Sequence, residues 1–396
     1  MSVLSAALPA HVTLPPLVRP GEELTADEVQ RYSRHLLIPQ IGAIGQRRLK
    51  NARVLVIGAG GLGSPALLYL AAAGIGTIGI VDDDTIDPSN LQRQVIHRVP
   101  DVGRSKAQSA RDAIAALNPL VDVQLHPVRL TGTNALDICA GYDLIVDGSD
   151  NFATRYLVSD SAAILGIPHV WGAVLQFDGQ VSTFWNTQGP SYRDLYPEAP
   201  PAGSVPSCGE GGVFGMLCGV VGSLMVAEVI KLVTGVGRSL LGRLLIVDSL
   251  ASSSREISVT ADPDREPVTE LIDYEMFCGV TPADSDTSLS VHELATLIAQ
   301  KNRGEVSFDL IDVRQPGEYD IVRIPGSVLV PLGLIISGAD IAAVSAERDI
   351  ILYCKSGTRS AAALQELRRR GFTRVQQLRG GVLDWVAEVD PALPTY

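Results

Sequence analysis

The apolar positions of this chain fall in short unbroken runs separated by stretches of helical length. Residues 54–57, 77–81, 143–147 and 169–174 are rich in Val, Ile and Leu, the pattern of strands buried on both faces of a parallel sheet. The intervening stretches predict helices after Gly63, over 103–117, near 134–140 and over 154–165, with a further strand at 121–126. Asn118-Pro119 stops the second of these helices. From Gln180 the period changes. Residues 181–185 alternate as an antiparallel strand does, and strands are expected near 243–248 and 256–260. Between them lies a long irregular piece, 186–212, rich in Pro and Gly, followed by an almost continuous apolar stretch over 211–233. A sheet that is parallel first and antiparallel later is therefore expected.

Upstream, residues 1–24 are Pro-rich and read as an extended tail. Thr25-Ala-Asp-Glu28 fits a capping box, opening a helix through Arg31, Tyr32, Arg34 and His35. Downstream, 279–288 is polar and without period, the mark of a linker. A second alternation follows, with strands at 307–312, 350–353 and 375–378 and a helix over 361–370. The expected layout is an α/β domain over 25–278 with a mixed sheet, then a smaller α/β domain over 289–396, each of an ordinary domain size.

Charge and cysteine content narrow the function. The 396 residues carry a formal net charge of −12, which argues against nucleic acid as the main partner, since phosphate backbones need a basic surface. The five cysteines, at 139, 208, 218, 278 and 354, form no Cys-x-x-Cys pair. Neither a disulfide framework nor a zinc site is expected, and the simple inference is a reducing compartment, the cytoplasm. The N-terminus has no basic region before Pro9, so no signal peptide is read. The apolar stretch 211–227 falls short of a membrane span and runs into Glu228 and Lys231; a buried helix is expected, and no membrane partner.

The first chemical signal lies at the end of the first apolar run. Gly58, Gly60, Gly61 and Gly63 form a tight turn between strand and helix, where backbone N–H groups and the helix N-terminus can face a phosphate. Asp82, at the tip of the next strand, lies where a ribose-binding acid is expected. These features alone fit NAD as well as ATP. The surroundings favour ATP: Arg34, Arg93 and Lys106 are candidate phosphate ligands, and a triphosphate calls for several cations. The polar loop 87–93 suits a ligand lining. Residues 148–151, Gly-Ser-Asp-Asn, end a buried strand, so Asp150 and Asn151 sit where open α/β sheets bind ligands. Asp150 could hold Mg²⁺, which takes one or two carboxylates plus substrate phosphates.

Taken in order, GAGGLGS, the acid after the next strand, SNLQRQ, Lys106 and the GSDN tip resemble the Rossmann-like adenylating core of the E1-like superfamily. Within it, the chain is similar to enzymes that activate sulfur-carrier proteins in molybdopterin and thiamin synthesis. The resemblance covers about residues 25–270. It implies that Gly58, Gly60 and Gly61 contact phosphate and that Asp82 binds ribose. It also implies that Ser89, Asn90, Leu91, Gln92, Arg93 and Lys106 hold phosphates, with Asn151 beside them and Asp150 on Mg²⁺. RYSRHLLIPQIG resembles the family's N-terminal helix, whose second arginine, Arg34 here, would reach a partner's ATP across a homodimer. Many members bind structural zinc through two Cys-x-x-Cys pairs. Here Ser191 and Asp194 replace the first, and 260–278 holds one cysteine, so the resemblance is to the zinc-less subgroup of fused adenylyltransferase/sulfurtransferases.

The second signal is Cys354-Lys355-Ser356-Gly357-Thr358-Arg359, between an apolar strand and a helix. Such a loop turns successive N–H groups toward the sulfur, with a helix N-terminus behind them, and stabilises a thiolate or a persulfide. With Asp312-Val-Arg and Ile-Pro-Gly-Ser upstream, 289–396 resembles a rhodanese domain, although Arg323 stands where rhodaneses often have His. A phosphatase loop would carry one more residue between Cys and Arg. Cys208 lies at the position of a family cysteine that can bond the substrate acyl group or resolve the sulfur-transfer intermediate.

The combined expectation is ATP-dependent adenylation of the C-terminal glycine of a small ubiquitin-like sulfur carrier ending in Gly-Gly. Sulfur transfer from a Cys354 persulfide would follow, fed by thiosulfate or a cysteine desulfurase. One rival is an E1-like activator of protein conjugation, in which Cys208 carries a thioester and no sulfur moves. The other is an NAD-dependent dehydrogenase with a regulatory rhodanese-like module.

Overall fold

The computed structural model describes residues 14–200, 211–278, 288–339 and 347–396. Two compact units result, one from residues up to 198 and from 212 to 274, the other mainly from 275 to 396. In the first, three helices, α1 (Ala26–Arg31), α2 (Ser33–Leu36) and α3 (Gly42–Asn51), precede β1 (Arg53–Ile57), α4 (Gly63–Ala73) and β2 (Thr77–Val81). Then come α5 (Lys106–Leu117), β3 (Asp122–His126), α6 (Ala135–Cys139), β4 (Leu144–Asp147), α7 (Phe152–Leu165), β5 (His169–Leu175) and β6 (Asp178–Phe184). A short α8 (Tyr192–Leu195), the long α9 (Gly215–Thr234), β7 (Arg243–Asp248) and β8 (Ser253–Ser258) complete the unit.

The described strands pair in the order β3-β2-β1-β4-β5-β6-β7-β8. The first five are parallel and the last three pairings are antiparallel, the mixed sheet that the change of period predicts. The order reverses between β1 and β4, where Ile57 pairs with Asp147. That is the switch point at which open α/β sheets bind ligands. The glycine turn and the GSDN tip lie side by side there.

The capping box at Thr25 forms, with Thr25 Oγ1 accepting from Glu28 N–H and the Glu28 carboxylate accepting from Thr25 N–H, but the helix it opens breaks at Tyr32. That ring is buried against Gly74, and its hydroxyl accepts from Asn118 Nδ2 at 2.9 Å, so a tertiary contact overrides a continuous helical pattern. Helix α5 begins at Lys106 instead of residue 103. Gly103 takes φ +85° and Ser105 supplies the N-cap. Strand β8 lies at Ser253–Ser258, earlier than expected, because a tight hairpin starts the pairing at Asp248–Ser253; every residue of this strand is exposed, so it carries no apolar pattern to read. Residues 14–24 run along the unit: Leu17 N–H bonds Leu232 O at 2.9 Å and Val18 is buried in the core.

Helix α9 is 20 residues long, and by length and composition alone it could cross a membrane. Its side chains pack instead into the core: Leu217, Val221, Met225, Val229 and Leu232 join the cluster formed by α4 and the sheet. Glu228 is buried on it, accepting from Thr183 Oγ1 at 3.1 Å and Leu240 N–H at 2.5 Å while paired with Lys231, so the charge is compensated where it is desolvated.

In the second unit, α10 (Tyr274–Phe277) leads to β9 (Ser288–Leu289), α11 (Val291–Asn302), β10 (Phe308–Asp312), α12 (Pro316–Ile321) and β11 (Val328–Leu329). Then follow α13 (Leu332–Ser337), β12 (Asp349–Tyr353), α14 (Thr358–Arg369), β13 (Val375–Leu378) and α15 (Gly381–Glu388). Among the described residues the sheet is parallel throughout, in the order β11-β10-β12-β13-β9. Ser288 already pairs with Gln377, so the polar run ends one residue before the expected linker does. Apolar clusters cover both faces of this sheet.

Candidate functional site

At the end of β1 the chain turns on Gly58, at φ +86°. A Cβ on Gly63 would lie 1.9 Å from Gly58 O, and one on Gly61 2.9 Å from Cys218 Sγ. The turn therefore folds onto itself and onto α9, and only glycine fits at 63. Asp82 closes it from the next strand. Its Oδ2 accepts from Ala59 N–H at 2.8 Å and its Oδ1 from Asp84 N–H at 2.9 Å. Burial raises its pKa, offset in part by these N–H groups and by Lys106. Asp82 thus braces the glycine turn.

Lys106, the first residue of α5, is buried, and its Nζ pairs with Asp84 at 2.8 Å. His97 lies next to it. It bridges Ser109 Oγ at 2.9 Å and Ala59 O at 3.0 Å, and burial depresses its pKa. A neutral imidazole there ties α5 to the turn without adding charge. The loop before it is a 3₁₀ turn over Pro88–Asn90, capped by Asp87, which accepts from Ser89 N–H at 2.8 Å. Arg93 Nη1 donates to Ser89 O at 3.2 Å, and its side chain passes Gly61. Arg93 thereby lies beside Gly61 and Gln94 beside Gly60, at the end of the loop that holds Ser89, Asn90, Leu91 and Gln92. A Cβ on Gly215 would meet Gln92 O at 2.1 Å, so α9 is anchored beneath the same loop.

Across the turn, Gly148 N–H bonds Ile57 O at 3.0 Å. Asp147 is fully buried; its Oδ1 accepts from Ser149 N–H at 2.9 Å, and Oδ2 lies 3.4 Å from His169 Nε2. Asp150 is exposed at the loop tip, a free carboxylate of the kind Mg²⁺ shares with phosphates. Asn151 has a structural duty, since its Oδ1 caps α7 through Thr154 N–H at 2.9 Å. Arg34 is exposed on α2 and has no hydrogen bond or ion pair among the described residues. Sequence reasoning missed His97, Asp84, Asp147 and His169. Each is a lone polar residue whose partner lies on another element.

Where the resemblance places zinc-binding cysteines in other members, Asp194 makes an ion pair. Its Oδ1 accepts from Arg265 Nε at 3.1 Å and Asp262 N–H at 3.0 Å. Burial pushes its pKa up, but these donors and Ser191 hold it below the ordinary value. Among the described residues no group of three His, Cys, Asp or Glu side chains is arranged to hold a metal.

The second site is the loop after β12. Cys354 is buried, with Gly357 N–H 3.1 Å and Ser360 Oγ 3.7 Å from its Sγ. The carbonyls of Cys354 and Lys355 are taken by Val382 and Leu383 N–H, at 2.9 and 3.1 Å, from the first turn of α15. A Cβ on Gly381 would lie 2.4 Å from Cys354 O. With those carbonyls held by α15, Gly357 N–H faces the sulfur. The Arg359 guanidinium is locked bidentate to Glu318, at 2.7 and 2.8 Å. Cys208, the other expected cysteine, lies outside the described residues.

Glu318 makes this site acid-sensitive. Burial pushes its pKa up, but Arg359, Gln315 N–H and Tyr396 outweigh it and hold the group below its ordinary 4.5. A carboxylate lowered on folding adds stability that is complete well above pH 4.5 and is lost as pH falls through the folded value. Glu318→Gln should therefore cost the smaller unit about 3 kcal/mol at pH 7 by leaving Arg359 buried and uncompensated. It should also flatten the loss of stability below pH 4.5. Hydrogen exchange over 349–369 in the full chain, from pH 7 to 3, measures both.

A model of the ThiF family matches residues 32–268, and a rhodanese-like domain model matches 290–388. The chain belongs to the ThiF family. A ThiF-family relative, the probable adenylyltransferase/sulfurtransferase MoeZ of Mycobacterium tuberculosis, is 54% identical over 97% of this chain and 99% of its own. The adenylyltransferase and sulfurtransferase MOCS3 of Drosophila grimshawi is 39% identical, over 95% of this chain and 88% of its own. A sulfur carrier protein adenylyltransferase of Thermus thermophilus is 52% identical over 65% of this chain and 98% of its own. Among solved structures, E. coli MccB with MccA-N7isoASN superposes with a TM-score of 0.55, at 22% identity, over 60% of this chain and 74% of that one; this likeness shows the fold. The E1-like adenylating core and the rhodanese domain expected from the motifs are both present, and this ThiF-family enzyme is an adenylyltransferase and sulfurtransferase.

Proposed function

We propose that the ThiF-family domain uses ATP to adenylate the C-terminal glycine of a small ubiquitin-like sulfur carrier ending in Gly-Gly, and that the rhodanese domain turns the adenylate into a thiocarboxylate. The observation that carries this reading is the pairing, on one chain, of a phosphate-facing glycine turn with a cysteine loop built for a persulfide. The carrier carboxylate attacks the α-phosphorus of ATP, and pyrophosphate leaves. The terminal sulfur of the Cys354 persulfide then attacks the acyl carbon, AMP leaves, and an acyl disulfide forms. Attack by a second thiolate, assigned to Cys208, breaks the S–S bond and releases the thiocarboxylate. The protein disulfide so formed is reduced by cellular thiols.

Gly60 and Gly61 present N–H groups to phosphate, Gly58 shaping the turn while its own N–H is taken by Val81 O at 2.8 Å, and Asp82 takes the ribose. Residues 89–93 and Lys106 neutralise the triphosphate, whose charge otherwise repels the carboxylate. Asp150 would hold Mg²⁺, supplying further charge neutralisation, with Asn151 fixing the loop beside it. Arg34 completes the site of a partner copy in a homodimer. Thiosulfate or a cysteine desulfurase loads Cys354, and the enzyme works in the cytoplasm. The working domains are 25–278 and 289–396, and the 279–288 linker raises their effective concentration.

Mass spectrometry of a Gly-Gly carrier after incubation with the full chain, ATP and thiosulfate tests this. Replacement of one C-terminal oxygen by sulfur supports it. An isopeptide product with no sulfur would place the enzyme with the conjugation activators instead.

A further inference from the structure

Tyr396 touches one end of the loop that carries Cys354 and reaches the other through Glu318. Its hydroxyl donates to Glu318 Oε1 at 2.7 Å and accepts from Arg314 Nη1 at 2.6 Å. Glu318 is the residue that grips Arg359, at the far end of the loop. On its other side, the tyrosine ring carries the Lys355 ammonium 4.3 Å from its centroid; Lys355 follows Cys354 directly. Arg314 is fully buried, shared among Asp312, Val322 O and Tyr396. The ring also packs on the apolar cluster beneath α15, beside Leu393. One side chain thus joins the buried Asp312–Arg314 pair, the Glu318–Arg359 pair and the cation at the loop's entrance. No step of the function proposed above uses it.

We propose that Tyr396 is a positioning residue for sulfur transfer, acting in two separable ways. Its hydroxyl fixes the orientation of Glu318, and through it Arg359 and the loop whose Gly357 N–H faces Cys354 Sγ. Its ring holds the Lys355 ammonium where an anionic sulfur donor must approach the thiol, by the attraction of a cation to an aromatic face. The inference rests on Cys354 being the sulfur carrier.

The two parts predict different kinetics in thiosulfate-to-cyanide transfer by the full chain. Tyr396→Phe keeps the ring and removes the hydroxyl, leaving a buried Arg314 donor unpaired. It should lower kcat by about 5-fold with KM for thiosulfate little changed. Tyr396→Ala removes both and should in addition raise KM about 5-fold. Lys355→Met should reproduce that rise in KM without the fall in kcat, and in the double variant Tyr396→Ala/Lys355→Met the two KM effects should not add. If Tyr396→Ala does not fold, Tyr396→Phe and Lys355→Met still decide each part.

Wild-type kcat and KM in Tyr396→Phe and Lys355→Met overturn the proposal. A full additional rise in KM on adding Tyr396→Ala to Lys355→Met overturns the role of the ring. Cys354→Ala separates the underlying reading: if that variant still transfers sulfur, the assignment of Cys354 fails, whereas its inactivity beside wild-type Tyr396 variants sinks only the present inference.

Discussion

Cys354→Ala should abolish thiocarboxylate formation, by about 10³-fold or more, while carrier-dependent ATP–pyrophosphate exchange stays close to wild type. The first half follows from the chemistry. A persulfide needs a sulfur nucleophile, and the surrounding loop is shaped for that one atom, with Gly357 N–H and Ser360 Oγ directed at it. No other described cysteine can take over. Cys139 has no exposed surface, and burial pushes its thiol up to about 12; Cys218 lies buried under the glycine turn, and Cys278 is buried as well. The second half follows from architecture, because each unit has its own core, and removing one sulfur from the smaller one leaves the nucleotide site as it was. Measuring exchange and thiocarboxylate on the same preparation separates the two activities. Thiocarboxylate at the wild-type rate from Cys354→Ala would remove the relay.

What could be read from the residues alone was the local part of each site. The glycine turn is legible because its cause is local: Gly63 must be glycine to clear Gly58 O, five residues away. The capping box at Thr25 and the cysteine loop before α14 are legible for the same reason. Long-range pairing was not. Arg359 reads only as the end of the cysteine loop; that Glu318, 41 positions upstream, holds it has no local signal. Asp82 reads as a ribose-binding acid, and its added bond to Ala59 N–H of the glycine turn, 23 positions upstream, was not legible. The helix from Thr25 reads as continuous until Tyr32 is seen packed against Gly74, 42 positions on. In each case the residue type was identified but its partner lay on another element, where no periodic pattern points.

Lys106→Ala should reduce carrier-dependent ATP–pyrophosphate exchange by about 10²- to 10³-fold, the loss of one fixed cation at a site of developing charge. Two explanations of such a loss must be distinguished. The buried ammonium could neutralise the triphosphate, or it could serve only to pair Asp84, which it meets at 2.8 Å. Asp84 is mostly exposed, with 68% of its side-chain surface accessible, so water can solvate it once its partner is gone and the cost in stability should be about 1 kcal/mol or less. A pairing role therefore predicts that Asp84→Ala, made together with Lys106→Ala, restores exchange. A phosphate role predicts no restoration, because the missing charge is still missing. It also predicts that Asp84→Ala alone is tolerated, since Lys106 N–H remains bonded to the Asp84 backbone carbonyl at 3.0 Å and α5 stays in place. Lys106 then gains freedom to meet phosphate rather than losing its position. Exchange that recovers in the double variant would reassign Lys106 to holding the strand tip, and leave Arg93 as the cation of this loop.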